Sequence, residues 1–499
     1  MIKSSLSIFF SILTVISNAQ DLFKSNLQYG SYGVGFKNID VTDLTRPSLS
    51  VAGDNGAIGR EMNLSIWYPS LDKGSSPVLY KDYVALTLPH DQRNSNALCE
   101  HAFMHTVAEL SGDTTRFQSV LNKMLAAQTK AHKNAVVARG SFPVIIYPDR
   151  AHVQSIMCEY LASNGYIVVS LSIKGSYAAP MEYNVRGIET AIEDLQFALG
   201  YARQNFVTTR YFSVIGLGFN ATNLLAWQMR NADIKAFVSL EGGITTGFED
   251  QLIQKGPFFN VERCTADMLV MHAPHPDVKP EFTYKYKYAQ RIYQSYSQSS
   301  EFYFLNFGIW ERELKNIFPA ANKGNTWLSF EHAAASIKSF LDWRMRGDED
   351  SKTKLLKPEP GIVEVTVKQA SLLPPSVEEL NALIKKQGIN SATALYFERK
   401  KIDERPFPFT ICFLVGQNLI QQSSFNDLKN WAQLFADGFP QSAIPYTMQA
   451  RAFLEEGNKE QAKLFYNKAM ALLDSDENLS TDERKAYQTA IENRLKSIN

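Results

Sequence analysis

The chain has 499 residues, 45% of them hydrophobic, which is enough for more than one domain and for a sizeable core. Lys plus Arg number 51 and Asp plus Glu number 51, so no net field exists to hold nucleic acid or an acidic membrane. No basic run with interleaved aromatics occurs, and nucleic acid is excluded as an expected partner.

Residues 1–19 read as a signal peptide. Lys3 supplies the positive start, Leu6 to Ile16 the short apolar run, and Ser17-Asn18-Ala19 the small residues that a signal peptidase reads. The run is too short for a stable membrane span, and no later stretch is apolar enough for one. The expectation is an exported protein, periplasmic or secreted. Cys99, Cys158, Cys264 and Cys412 lie far apart with no C-x-x-C, which disfavours a metal cluster and leaves a disulfide or buried thiols open.

Residues 20–346 read as one α/β domain. Gly33–Ile39 is an edge-strand candidate, and Glu61 to Tyr68 alternates as a strand stopped by Pro69. Residues of about 80–138 have helical spacing and few strand formers, so they predict a helical insertion. From Val144 the pattern alternates: strand Val144–Tyr147, helix Ser155–Ser163, strand Ile167–Ser172, and an amphipathic helix Gly187–Arg203 with Ile188, Ile192, Leu195 and Leu199 on one face. Strands at 212–215, 236–240, 268–271 and 302–305 follow, with a helix at 221–229 and a last one from about Ser329 to Met345. Strands alternating with crossover helices predict a mostly parallel sheet covered on both faces. The aromatics from Phe282 to Tyr296 read chiefly as helix core and cover, or else as an aromatic binding surface.

Residues 347–361 are charged and proline-containing, a linker signature. Residues 362–499 follow as an all-α segment with a 34-residue period that pairs Gly416 with Ala450, Leu428 with Ala462, Ala432 with Tyr466 and Phe435 with Ala469. That spacing is tetratricopeptide-like, with residues 376–398 as a poorer third unit. Such repeats either cap the first domain or bind a protein partner in a groove.

The most informative segment is Val214-Ile-Gly-Leu-Gly-Phe-Asn-Ala221. A strand, a tight turn and a helix are expected here, the setting of a G-x-S-x-G nucleophile elbow. Gly216 matches the first glycine, Gly218 stands at the serine position and Asn220 at the last glycine. Glycine can form no acyl-enzyme.

From residue 29 to 346 the chain resembles the bacterial α/β-hydrolases grouped with dienelactone hydrolases and platelet-activating-factor acetylhydrolases. The resemblance rests on Tyr32-Gly-Val-Gly-Phe36, Arg60 to Pro69, Leu161-Ala-Ser-Asn-Gly-Tyr-Ile-Val-Val169, Arg186 to Asp194 and Phe340-Leu-Asp342. It implies an α/β-hydrolase fold with degenerate catalytic positions. The oxyanion loop, His-Gly in that family, reads Pro148-Asp149. The histidine general base, placed by the resemblance near Trp310, is missing from Phe307-Gly-Ile-Trp-Glu311. Candidate acids survive at Asp277 and Glu241, but an acid with no histidine to orient does nothing for acyl transfer.

Several residues are candidates for a vacated pocket at the carboxyl ends of the strands: Asp149, Gly218, Phe219, Glu241, His272 and His275. Arg150 and His152 are expected at the same mouth, binding a polar ligand or forming a solvated loop. Glu241-Gly242-Gly243 is also explained as a strand-ending turn. His272-Ala-Pro-His275 lacks the helical spacing that sets two metal ligands on one face, so no metal and no cofactor is expected. The reading that follows is an exported pseudo-hydrolase that binds a ligand or a protein. Its alternatives are an acyl hydrolase with a non-standard site built on Asp277 with His272 or His275, and a repeat-domain adaptor.

Overall fold

The computed structural model describes residues 23–46, 59–71, 76–110, 112–177, 180–318 and 324–498. The expected signal peptide lies outside them. The chain divides into two units, Met1–Ala370 and Ser371–Asn499.

The first unit is built on one mixed sheet. Its strands are β1 (Gly33–Asp43), β2 (Arg60–Ser70), β3 (Pro77–Leu79), β4 (Gln128–Lys133), β5 (Phe142–Ile146), β6 (Ile167–Ser170), β7 (Thr208–Leu217), β8 (Ile234–Leu240), β9 (Asp267–His272), β10 (Arg291–Tyr296) and β11 (Val363–Lys368). Their spatial order is β11-β10-β9-β8-β7-β5-β6-β2-β1-β4-β3. Strands β5 to β10 run parallel, joined by crossover helices such as Ala151–Ser163, Val185–Asn205 and Phe219–Gln228. β2 runs antiparallel to both of its neighbours.

Period-two alternation sorts the sheet's side chains into two cores. Trp67, Ile145, Ile215, Val238 and Leu269 join one apolar cluster. Their sequence neighbours Ile66, Val144, Val214, Phe237 and Met268 join the other. The helix Val185–Asn205 buries Ile188, Ile192, Leu195 and Leu199, the face its spacing predicts.

Four expectations need correcting. β1 is no edge strand: it lies between β2 and β4. The insertion is not purely helical, because Gln128–Lys133 pairs in parallel with Val34–Phe36 and buries Ala131. A free strand edge recruited a segment of weak strand propensity. Phe302–Leu305 is no strand: Glu301–Phe304 is a 3-10 turn, and the strand before it is β10, inside the aromatic run read as helix. Alternating Ile292, Tyr293 and Gln294 are all buried there, so burial on both faces overrode the helical reading. Finally, 347–361 is more than a linker: Glu349–Leu355 is helical with Asp348 as its N-cap, and the following β11 pairs with β10.

The second unit is helical. Its pairs Phe409–Gln421 with Phe425–Gly438 and Ala443–Glu455 with Lys459–Leu472 repeat at the period read from the sequence. Gly416, Ala432, Ala450, Ala462 and Ala469 are buried where these helices meet. A Cβ on Gly416 would lie 2.5 Å from the Met448 sulfur, so a larger residue there requires the flexible end of Met448 to shift.

Candidate functional site

Gly218 follows β7 and caps the helix Phe219–Gln228 with φ 52° and ψ −131°. This backbone conformation is sparsely populated by residues with a side chain. The turn is held from below: the Gly218 N–H donates to Leu240 O at 2.9 Å and to Glu241 O at 3.0 Å. The space above it is open, since a Cβ at Gly218 would meet only Glu241 O, at 4.0 Å. Glycine adopts this conformation without strain, and the position carries no side chain.

The neighbouring strand ends crowd around this turn. Glu241, Gly242 and Gly243 have φ of 42°, 67° and 56°, a run of left-handed residues after β8. Gly243 packs so closely on Gly218 that a Cβ would lie 2.2 Å from Gly218 O. Glu241 is buried, and its Oε2 accepts from the Ala273 N–H at 2.6 Å. That bond ties the end of β8 to the loop after β9. His272 closes β9 half-buried, with burial lowering its pKa and Nδ1 3.3 Å from Ala273 O. Phe219 is buried under Tyr183, ring centroids 4.8 Å apart.

The loop after β5 joins the same end of the sheet. Asn220 Nδ2 donates to Pro148 O at 3.1 Å, and Ser170 Oγ donates to Asp149 O at 2.8 Å. Asp149 Oδ1 accepts from the Arg150 N–H at 2.7 Å, and burial raises the carboxyl above its ordinary range. His152 is fully buried instead of lining the mouth: Nε2 lies 3.2 Å from Thr106 Oγ1, and burial lowers its pKa to about 3.

The structure thus gathers Gly218, Phe219, Glu241, His272, Pro148 and Asp149 at the carboxyl ends of β5 and β7 to β9. It leaves out His275 and Asp277, whose side chains are 59% and 82% exposed and meet each other at 3.8 Å. It also leaves out Trp310, which is fully buried in the helix Phe307–Leu314 among Phe307, Tyr80, Phe103 and Phe117. Residues 297–325, between β10 and the helix Thr326–Arg346, contain no histidine. His332 lies on that helix, with Nδ1 3.0 Å from the Tyr296 hydroxyl.

A cleft of about 760 Å³ lies to one side of the turn. Asp149, Arg150, Ser170 and Lys174 line it along with residues of β1 and β2, but Gly218, Glu241 and His272 do not. The turn at Gly218 and the cavity are therefore separate features, linked by the loop carrying Asp149.

One buried network escaped the site reading. Arg60 Nε and Nη2 each lie 2.7 Å from a different oxygen of Asp194. Arg46 adds a bond to Asp194 at 2.8 Å and one to Asp43 at 2.7 Å. Arg60 and Asp194 both fall in the segments that carry the family resemblance, and that was the available signal.

The order of β1, β2 and β5 to β10, the antiparallel β2 and the strand–turn–helix at Gly218 define an α/β-hydrolase scaffold. No protein-family model matches the chain, and no curated protein matches it. Among solved structures it is similar to a ferulic acid esterase from Streptomyces cinnamoneus (17% identity, TM-score 0.47, covering 68% of this chain and 97% of the other). It is also similar to an acylaminoacyl peptidase from Pyrococcus horikoshii (10% identity, TM-score 0.33, covering 62% of this chain and 42% of the other).

Proposed function

We propose that this is an exported pseudo-hydrolase, a hydrolase scaffold that binds rather than cleaves. The observation that carries the reading is Gly218: the elbow's backbone conformation persists with open space above it and no side chain to attack. Two further features support it. The stretch after β10 supplies no imidazole, and Trp310 is locked in an aromatic cluster. The Asp149 carboxyl follows β5, where donors for a developing oxyanion belong, and a carboxylate opposes that charge. The helix pairs of residues 409–472, offset by one tetratricopeptide length, fit a short repeat array that holds a protein partner.

The test is incubation of the purified protein with short-chain p-nitrophenyl esters and a fluorophosphonate probe. No turnover and no labelling above a heat-killed control is expected. A covalent adduct, or turnover that disappears in His272→Ala, overturns the reading in favour of an acyl hydrolase with a non-standard site.

A further inference from the structure

The cleft beside the elbow has a composition that selects a ligand class. Its volume of about 760 Å³ falls within the range of small-molecule sites. Four cationic side chains (Arg60, Arg93, Arg150, Lys174) and four acidic ones (Asp40, Glu61, Asp149, Asp194) line it, so it carries no net field for a simple anion or cation.

Most of these charges are already spent. Arg60 and Asp194 form the buried bidentate pair, Arg93 meets Asp40 at 3.2 Å, and Arg150 meets Glu109 at 2.8 Å. Three groups keep unused capacity. The exposed side chains of Lys174 and Glu61 have no ion-pair partner among the described residues. Among the described residues the Asp149 carboxyl accepts one hydrogen bond, from the Arg150 N–H, and burial raises its pKa despite that bond and the nearby Arg150 charge. Among the described residues, one unpaired ammonium thus shares the cleft with two underused carboxyls. Among the described residues the lining has no phenylalanine, tyrosine or tryptophan to cover a sugar face, while Met62, Leu86, Leu88 and Leu171 offer aliphatic surface.

We propose that this cleft binds a small zwitterion, an amino acid or a short unblocked peptide, with Lys174 on its carboxylate and Asp149 and Glu61 on its ammonium. The fixed Arg60–Asp194 pair makes a rigid wall, and the aliphatic residues take the ligand's side chain. The proposal rests on the ligand-binding reading above and adds the ligand to it.

The experiment is isothermal titration of the full chain with L-alanyl-L-leucine, free L-leucine, N-acetyl-L-leucinamide and maltose. Heat from a zwitterion and none from the blocked or sugar probes is expected. Lys174→Ala and Asp149→Asn should each weaken binding roughly tenfold, the loss of one charge-assisted contact. Lys174 is exposed, so its variant tests the site without disturbing folding. No heat from either zwitterion at millimolar concentration, equal heat from maltose or the blocked probe, or affinity unchanged in both variants overturns the proposal. Ester cleavage would overturn the pseudo-hydrolase reading alone, so the two failures are distinguishable.

Discussion

Replacing Gly218 by serine places a hydroxyl at the turn and separates the cost of the turn from the cost of the chemistry. In Gly218→Ser the new side chain is sterically free, because its Cβ has nothing nearer than Glu241 O at 4.0 Å. The energetic cost is backbone strain: a residue with a side chain held at φ 52° and ψ −131° loses roughly 1–3 kcal/mol. Lower chain entropy in the unfolded state returns up to about 1 kcal/mol. The net expectation is a loss of about 1–2 kcal/mol. Gly243→Ala is the comparator. It has the same handedness of φ, but its Cβ would lie 2.2 Å from Gly218 O, so it should cost more than Gly218→Ser. Urea titration followed by near-ultraviolet circular dichroism reads both. On the proposed pseudo-hydrolase reading, which assigns no base and no oxyanion loop, catalysis should stay at the wild-type level. Labelling of the Gly218→Ser variant by a fluorophosphonate, or ester turnover about a hundredfold above wild type, would reveal a working base and refute the reasoning. A loss above about 4 kcal/mol would refute the claim of open space.

Two other outcomes follow from buried groups. Burial pushes the Glu159 carboxyl up from 4.5 to about 7, against hydrogen bonds from the Tyr83 hydroxyl and the Lys130 N–H that favour the ionised form. The folded state therefore holds an extra proton between those values, and stability falls by up to about 3 kcal/mol as pH rises through that window. Glu159→Gln should flatten this slope in melts taken from pH 4.5 to about 7, and an unchanged slope would rule the group out. Trp310→Ala should lower the urea midpoint by the equivalent of about 3–5 kcal/mol, the cost of emptying a fully buried aromatic site. A loss under about 1 kcal/mol would show that the cluster collapses onto the gap.

Much of the alternating core was readable one residue at a time. Ile188, Ile192, Leu195 and Leu199 face one way because helical spacing leaves no other arrangement, and the structure buries all of them. The turn at Gly218 was legible for a similar reason: strand, glycine and helix formers lie within a few consecutive residues. Gln128–Lys133 was not legible as a strand, because its pairing depends on an edge of β1 about a hundred residues earlier in the chain. Nor was β10, whose aromatic residues suit a helix face as well as a strand buried on both sides.

Composition by itself determined that the turn carries glycine at 218 and that residues 297–325 hold no histidine. Tertiary structure alone decided that the turn at Gly218 and the polar cleft are different places. Asp149 belongs to the cleft's lining while its loop is pinned to the elbow through Asn220 and Pro148. The pairing of Arg60 with Asp194 likewise needed the fold. Charges distant in sequence meet only when the sheet and its crossover helix bring them out of water together, and a linear pattern does not encode that proximity.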